Sequence, residues 1–155
     1  LYAAVGMLFA AQDLTNGFPA LLKLLKLAAP LTALLLAVTG IRMWKGKSPV
    51  PGTWAVVCCV LVLRLVAAYQ TWSREPQMMD YLFSMLGSLC LTGYAYHRAA
   101  KEAGAAEKSC WLFRLGLLAG FFCLAAGTGR VPLPFYTVMA CGVMLEVLSG
   151  EEAPC

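Results

Sequence analysis

The stretch LRLVAAYQTWSREPQMMDYLF, residues 63–83, decides the fold. One apolar run closes on Tyr69 and Trp72, the short turn Ser73-Arg74-Glu75-Pro76 follows, and a second apolar run opens with Asp80 inside it. Extended outward, the first run covers Thr53 to Trp72 and the second Gln77 to His97. About 20 residues rising 1.5 Å each cross a hydrocarbon slab about 30 Å thick. A turn this short makes the two helices antiparallel neighbours. Each carries a charge where charge is expensive, Arg64 in one and Asp80 in the other.

The rest of the chain has the same character. Of 155 residues, 61% are hydrophobic and 13% charged, with a mean hydropathy of +0.73. A soluble domain is nearer half apolar and a quarter charged, so this composition predicts an integral membrane protein. Further apolar segments run from Leu1 to Ala11, Ala20 to Trp44, Cys110 to Thr128 and Leu133 to Leu148. The first is about half a span and is expected to be part of a helix within which the sequence begins. The segments read as helices, because an unpaired strand cannot satisfy its backbone in lipid and no alternating ten-residue pattern suggests a barrel. The fold expected is therefore an all-α polytopic bundle, a single membrane domain over residues 1–155, with five full spans and a partial N-terminal one.

The distribution of charge supports this reading and gives it an orientation. Arg42, Lys45 and Lys47 cluster in one turn, and Arg98, Lys101 and Lys108, with Arg114 nearby, in another. The alternate turns hold only Arg74 or Arg130. The positive-inside rule places the richer turns, and with them both termini, in the cytoplasm; Lys23 and Lys26 on the outer side count mildly against it. The net charge of +4 forms no basic tract, so nucleic acid is not expected as a partner. Trp44, Trp54, Tyr94, Tyr96 and Trp111 are expected to anchor one interface, and Tyr69, Trp72, Tyr81, Phe135 and Tyr136 the other. Pro30 should kink one tilted helix from Ala20 to Trp44, with Lys23 and Lys26 snorkelling outward; the alternative is a surface helix from Pro19 to Ala29 before a shorter crossing.

The candidate polar site lies at the seam between the segments that carry the two charges. Val60, Arg64, Ala67, Ala68 and Thr71 fall on one helix face, and Asp80, Ser84, Gly87, Ser88 and Thr92 on one face of the next. Small and polar stripes of this kind let helices pack closely and hydrogen-bond in lipid. An intramembrane charge costs about 2.5–3.5 kcal/mol on insertion scales and seeks a partner. Arg64 lies about 12 Å below Trp72 along its helix and can reach up its stem toward Asp80. The pair reads first as an orientation lock and second as a site for an anion or a transported proton. Glu146, near the inner end of the last segment, is the other intramembrane carboxylate, expected to meet a cytoplasmic Lys or Arg or to reach water.

Several chemistries find no support. Five of the seven cysteines lie in apolar runs, no C-x-x-C occurs, and the one histidine, His97, has no ligand cluster around it, so neither a metal nor another cofactor is expected. No phosphate loop, nucleophile elbow or H-E-x-x-H is present. Gly116 and Gly120 form a G-x-x-x-G, which reads as close internal packing or as the face of a homo- or hetero-oligomer. AVTGIR with PVPGTWAVV echoes AAGTGR with VPLPFYTVM, as equivalent hairpins of an inverted repeat would.

The run YQTWSREPQMMDYLFSMLGSLCLTGYAYHRAAKEAG, with the earlier APLTALLLAVTGIRMWKGK, resembles small multi-pass membrane proteins of Gram-positive anaerobic bacteria. These carry an aromatic-Trp, Pro, Asp-Tyr-x-Phe pattern in a hairpin, matched here by Trp72, Pro76, Asp80, Tyr81 and Phe83. That group has no assigned activity, so the resemblance implies a bacterial cytoplasmic membrane and no catalytic residue. The function expected is a non-enzymatic membrane module or accessory subunit. The alternative is a small-solute or ion transporter with its site among Arg64, Asp80, Ser84, Ser88, Thr92 and Glu146.

Overall fold

The structure is a computed structural model, and it describes residues 2–9, 19–46, 50, 52–72, 81–105, 109–128 and 134–148. Among these every regular element is an α-helix: α1 (Tyr2–Phe9), α2 (Pro19–Trp44), α3 (Thr53–Trp72), α4 (Leu82–Glu102), α5 (Ser109–Gly127) and α6 (Pro134–Leu148). The helices begin and end where local chemistry directs. Pro19 and Pro134 each open a helix, where the missing N–H would have had no intrahelical partner. Beyond α4, Gly104 takes φ +84°, its N–H bonds Lys101 O, and Ala105 N–H bonds Ala100 O. That pairing satisfies the last carbonyls of the helix and favours glycine at the left-handed position.

Two helical stretches, Ala20–Trp44 and Thr53–Gln70, are long and apolar enough to cross a membrane, while Trp111–Gly127 and Pro134–Leu148 are shorter apolar helices. Helix α2 runs unbroken through Pro30, as the single-helix reading expects, and exposes both Lys23 and Lys26. Helix α4 departs from expectation at its C-terminal end. It continues past His97 to Glu102, because Ala99, Ala100 and Lys101 are good helix formers and the first stop signal is Gly104. Residues 77–80, expected to begin this helix, lie outside the described residues.

Each helix packs against the next along the chain, and α1 also packs against α6, so the ring of six closes on itself. Glycines set the spacing around α6. A Cβ added to Gly6 of α1 would come within 2.5 Å of Met139, and one on Gly120 of α5 within 2.5 Å of Met144. At Gly116 it would stand 2.6 Å from Val147 Cγ2 and 3.3 Å from the Tyr94 ring. The G-x-x-x-G of α5 is thus filled by the chain's own α6. Gly87 plays the same part between α4 and α5, where a Cβ would stand 3.3 Å from the backbone nitrogen of Cys123. The stripe on α4 is therefore divided, since Gly87 faces α5 rather than α3.

Substitution should separate these seats from glycines in open space. Gly116→Leu is expected to cost about 1–3 kcal/mol through overpacking, read as a lowered thermal midpoint in detergent. At Gly93, where the nearest atom to an added Cβ is Leu115 Cδ2 at 3.8 Å, Gly93→Ala should leave the midpoint unchanged or raised.

Candidate functional site

Arg64 is the largest of the fully buried side chains, with 1% of its surface exposed. It projects from the middle of α3 into a pocket built largely by the start of α6. Its guanidinium carbon lies 3.7 Å from the Phe135 ring centroid and 4.8 Å from that of Tyr136. The two rings meet edge to face at an interplanar angle of 80°, so a planar cation has an aromatic face to lie over and a second ring beside it. Nη1 donates to Tyr136 Oη at 2.9 Å and, at the long limit of 3.4 Å, to Ser88 Oγ of α4. Ser88 Oγ and Tyr136 Oη share a further hydrogen bond at 2.7 Å. Both oxygens accept from Arg64 Nη1, so either hydroxyl can donate in the bond between them. Three helices are joined through one cation.

The sequence-predicted residues divide around this centre. Ser84 and Ser88 of α4 are buried, as are Val60, Ala67 and Ala68 of α3, and Ser88 meets Arg64 across the two helices. Thr92 is half-buried and returns its hydroxyl to Ser88 O, one turn back in its own helix, at 2.7 Å. Asp80 lies outside the described residues, and the Arg64–Asp80 pairing with it. Glu146 does not join Arg64. Its carboxylate meets Arg98 Nη2 at 2.5 Å at the opposite end of the bundle.

Phe135 and Tyr136 escaped sequence reasoning because they were assigned to the interface. Both are fully buried, as is Tyr94. The physical reason is the cation: a buried guanidinium needs a ring face and a hydroxyl acceptor, and the Phe-Tyr doublet supplies both. Trp44, Tyr69, Tyr96 and Trp111 are exposed, as anchors would be.

A second cluster ties the helix ends at the basic side. Arg98 lies over the Trp54 ring at 5.9 Å as well as pairing with Glu146, and Trp54 meets Tyr94 edge to face at 6.2 Å. Thr39 and Thr53 hydroxyls bond at 3.1 Å across α2 and α3. Glu102 accepts the Trp54 backbone N–H at the start of α3. Burial raises its pKa above the ordinary carboxylate value, and that N–H and Arg98 pull against the rise. Between this cluster and Arg64 lies a cavity of about 220 Å³ that reaches Leu61 and Leu91, one turn short of Arg64 and Ser88.

Among the described residues no group of three or more His, Cys, Asp or Glu side chains is placed to hold a metal ion. Comparison with protein-family models, with curated proteins and with solved structures gave no match. Chemically, the Arg64 centre is a desolvated cation held by two hydroxyls and an aromatic face from two other helices, an arrangement suited to fixing helices.

Two measurements follow from these contacts. Tyr136→Phe keeps the ring and removes the acceptor, leaving a donor of Arg64 and the Ser88 hydroxyl short of a partner. A loss of about 1–3 kcal/mol is expected in thermal denaturation. For Glu102, a raised folded-state pKa means stability is lost as pH rises through the interval from the unfolded to the folded value. Glu102→Gln, which can still accept from Trp54, should therefore be at least as stable as the parent above neutrality, and the difference should shrink on acidification.

Proposed function

We propose that the protein is a non-enzymatic, multi-pass integral membrane module of a bacterial cytoplasmic membrane, with α2 to α5 crossing it, the shorter α6 completing the fifth span and α1 a partial one. Both termini lie on the cytoplasmic side, where Arg42, Lys45, Arg98 and Lys101 gather.

The observation that carries the proposal is the direction in which each helix faces. Leu24, Leu27, Leu31 and Leu34 recur along α2 at helical spacing and point outward, with exposures from 51% to 69%. Val62 and Val66 of α3, and Leu117, Leu118 and Phe121 of α5, do the same. Turned inward are Thr32, Thr39, Thr53, Arg64, Ser84 and Ser88. In water an apolar surface this extensive would drive association. In lipid it is the expected exterior, and the polar groups lie where their partners are. Helix α6, at 15 residues or about 22 Å, is shorter than the hydrocarbon thickness, which local thinning or flanking residues can accommodate.

A transporter with its site at the Arg64 seam is the less well supported reading. Ser88 and Thr92 direct their hydroxyls into bonds within the bundle, and the cavity stops a turn away. The module reading asks only that the seam hold.

Expressed in a bacterial host, the protein should remain in the membrane pellet after alkaline carbonate extraction. In a variant whose seven native cysteines are replaced by alanine, a single cysteine placed at Lys101 should react with an impermeant maleimide only in inverted vesicles. Release by carbonate would overturn the membrane assignment, and labelling in intact cells would reverse the orientation.

A further inference from the structure

The cavity between the two polar clusters has the chemistry of a tail-binding site with an anionic head. It is lined from α1, α2, α3, α4 and α6, and Leu36, Val57, Leu61, Leu91 and Met139 make its walls hydrocarbon. It runs from Met43 to Leu36 on α2, from Trp54 to Leu61 on α3 and from Glu146 to Met139 on α6, a depth of about 10 Å at 1.5 Å per residue. The volume of about 220 Å³ is roughly half as large again as the ~150 Å³ apolar cavity that stays dry and takes up benzene. Thr39, one of the few polar groups in the lining, directs its hydroxyl to Leu35 O and Thr53 Oγ1. Tyr94 and Glu146 are the other polar side chains of the lining, besides the Trp54 indole, and the walls between them are hydrocarbon, which suits an apolar guest.

The rim has the opposite character. Met43, half-exposed, and Trp54 mark the mouth, and Arg98 bridges two lining residues there, paired with Glu146 and lying over Trp54. Arg42, Lys45, Lys101 and Arg114 are exposed at the same end, where the described acids are Glu102 and Glu146. The balance is positive, and basic groups at headgroup depth attract anionic lipid. We infer that the cavity takes the headgroup-proximal part of one acyl chain of an anionic phospholipid, whose phosphate lies against this basic rim. The inference rests on the membrane reading proposed above.

The test uses the full chain reconstituted in vesicles of equal parts phosphatidylglycerol and phosphatidylcholine with matched chains, extracted in mild detergent and weighed by native mass spectrometry. One phosphatidylglycerol should stay bound, favoured over phosphatidylcholine about tenfold, and the double variant Arg42→Gln, Lys101→Gln should remove most of that preference. Ala95→Leu, which adds carbon to a residue of the cavity wall, should lower retention at least about fivefold, read beside its thermal midpoint to show that the fold is kept. Equal retention of the two lipids, or unchanged retention by Ala95→Leu, overturns the inference. So does a protein that resists carbonate extraction and carries no lipid, which leaves the membrane reading standing. Release by carbonate overturns both.

Discussion

A guanidinium enclosed on all sides sets the terms for this structure. Arg64 cannot lose its charge, and at 1% exposure water contributes little to its solvation. Among the described residues, neighbours that make it tolerable include Phe135 with a ring face, Tyr136 with a hydroxyl and Ser88 with a second hydroxyl. These belong to α6 and α4, so the side chain is stable only when α3, α4 and α6 hold one relative position. Removing one member of a buried charged network leaves the rest desolvated without compensation, typically at a cost of about 3–5 kcal/mol. Apolar packing in lipid gives helices little preference among registers, because lipid tails are as apolar as leucine. A buried cation restores that preference.

The remaining contacts distribute the work. Glycines on α1 and α5 let α6 approach closely enough for its Phe-Tyr doublet to reach the cation, and the Arg98–Glu146 pair holds the other end of the same helix against α4. Helix α6 is therefore pinned at both termini, by an interior cation at one and an ion pair at the other. The apolar cavity lies between the two fixings, where the ring of helices is left incompletely filled. Its walls end one turn from Arg64, at Leu61 and Leu91.

The helices were legible in the sequence because their signals are local and strong. Apolar runs bounded by Pro, Gly and charge gave all six segments, and α2 was readable as one helix despite Pro30. The stripes Val60-Arg64-Ala67-Ala68 and Ser84-Ser88 followed from the period of the helix alone. What escaped was the third side of the site. Phe135 and Tyr136 lie 71 and 72 residues from Arg64, and an aromatic pair in the first turn of a helix looks the same whether it faces headgroups or a buried cation. Only the closure of α1 on α6 distinguishes these cases, and no single segment records ring closure. The length of α4 was misread for a simpler reason, since His97 and Arg98 look like an interface although the chain's first stop signal is Gly104. For Glu146 the sequence leaves a lysine, an arginine or water open, and the structure pairs it with Arg98.

The central claim is that Arg64 and the Tyr136 hydroxyl act as one unit across α3 and α6. The measurement that addresses it most directly is a double-mutant cycle on thermal stability in detergent, using Arg64→Gln, Tyr136→Phe and the two combined. Coupling predicts that the combined variant loses clearly less than the sum of the single losses, by about 1 kcal/mol or more. Additive losses would mean that the two side chains stabilise the bundle independently, and the account of a single cation holding three helices would be wrong.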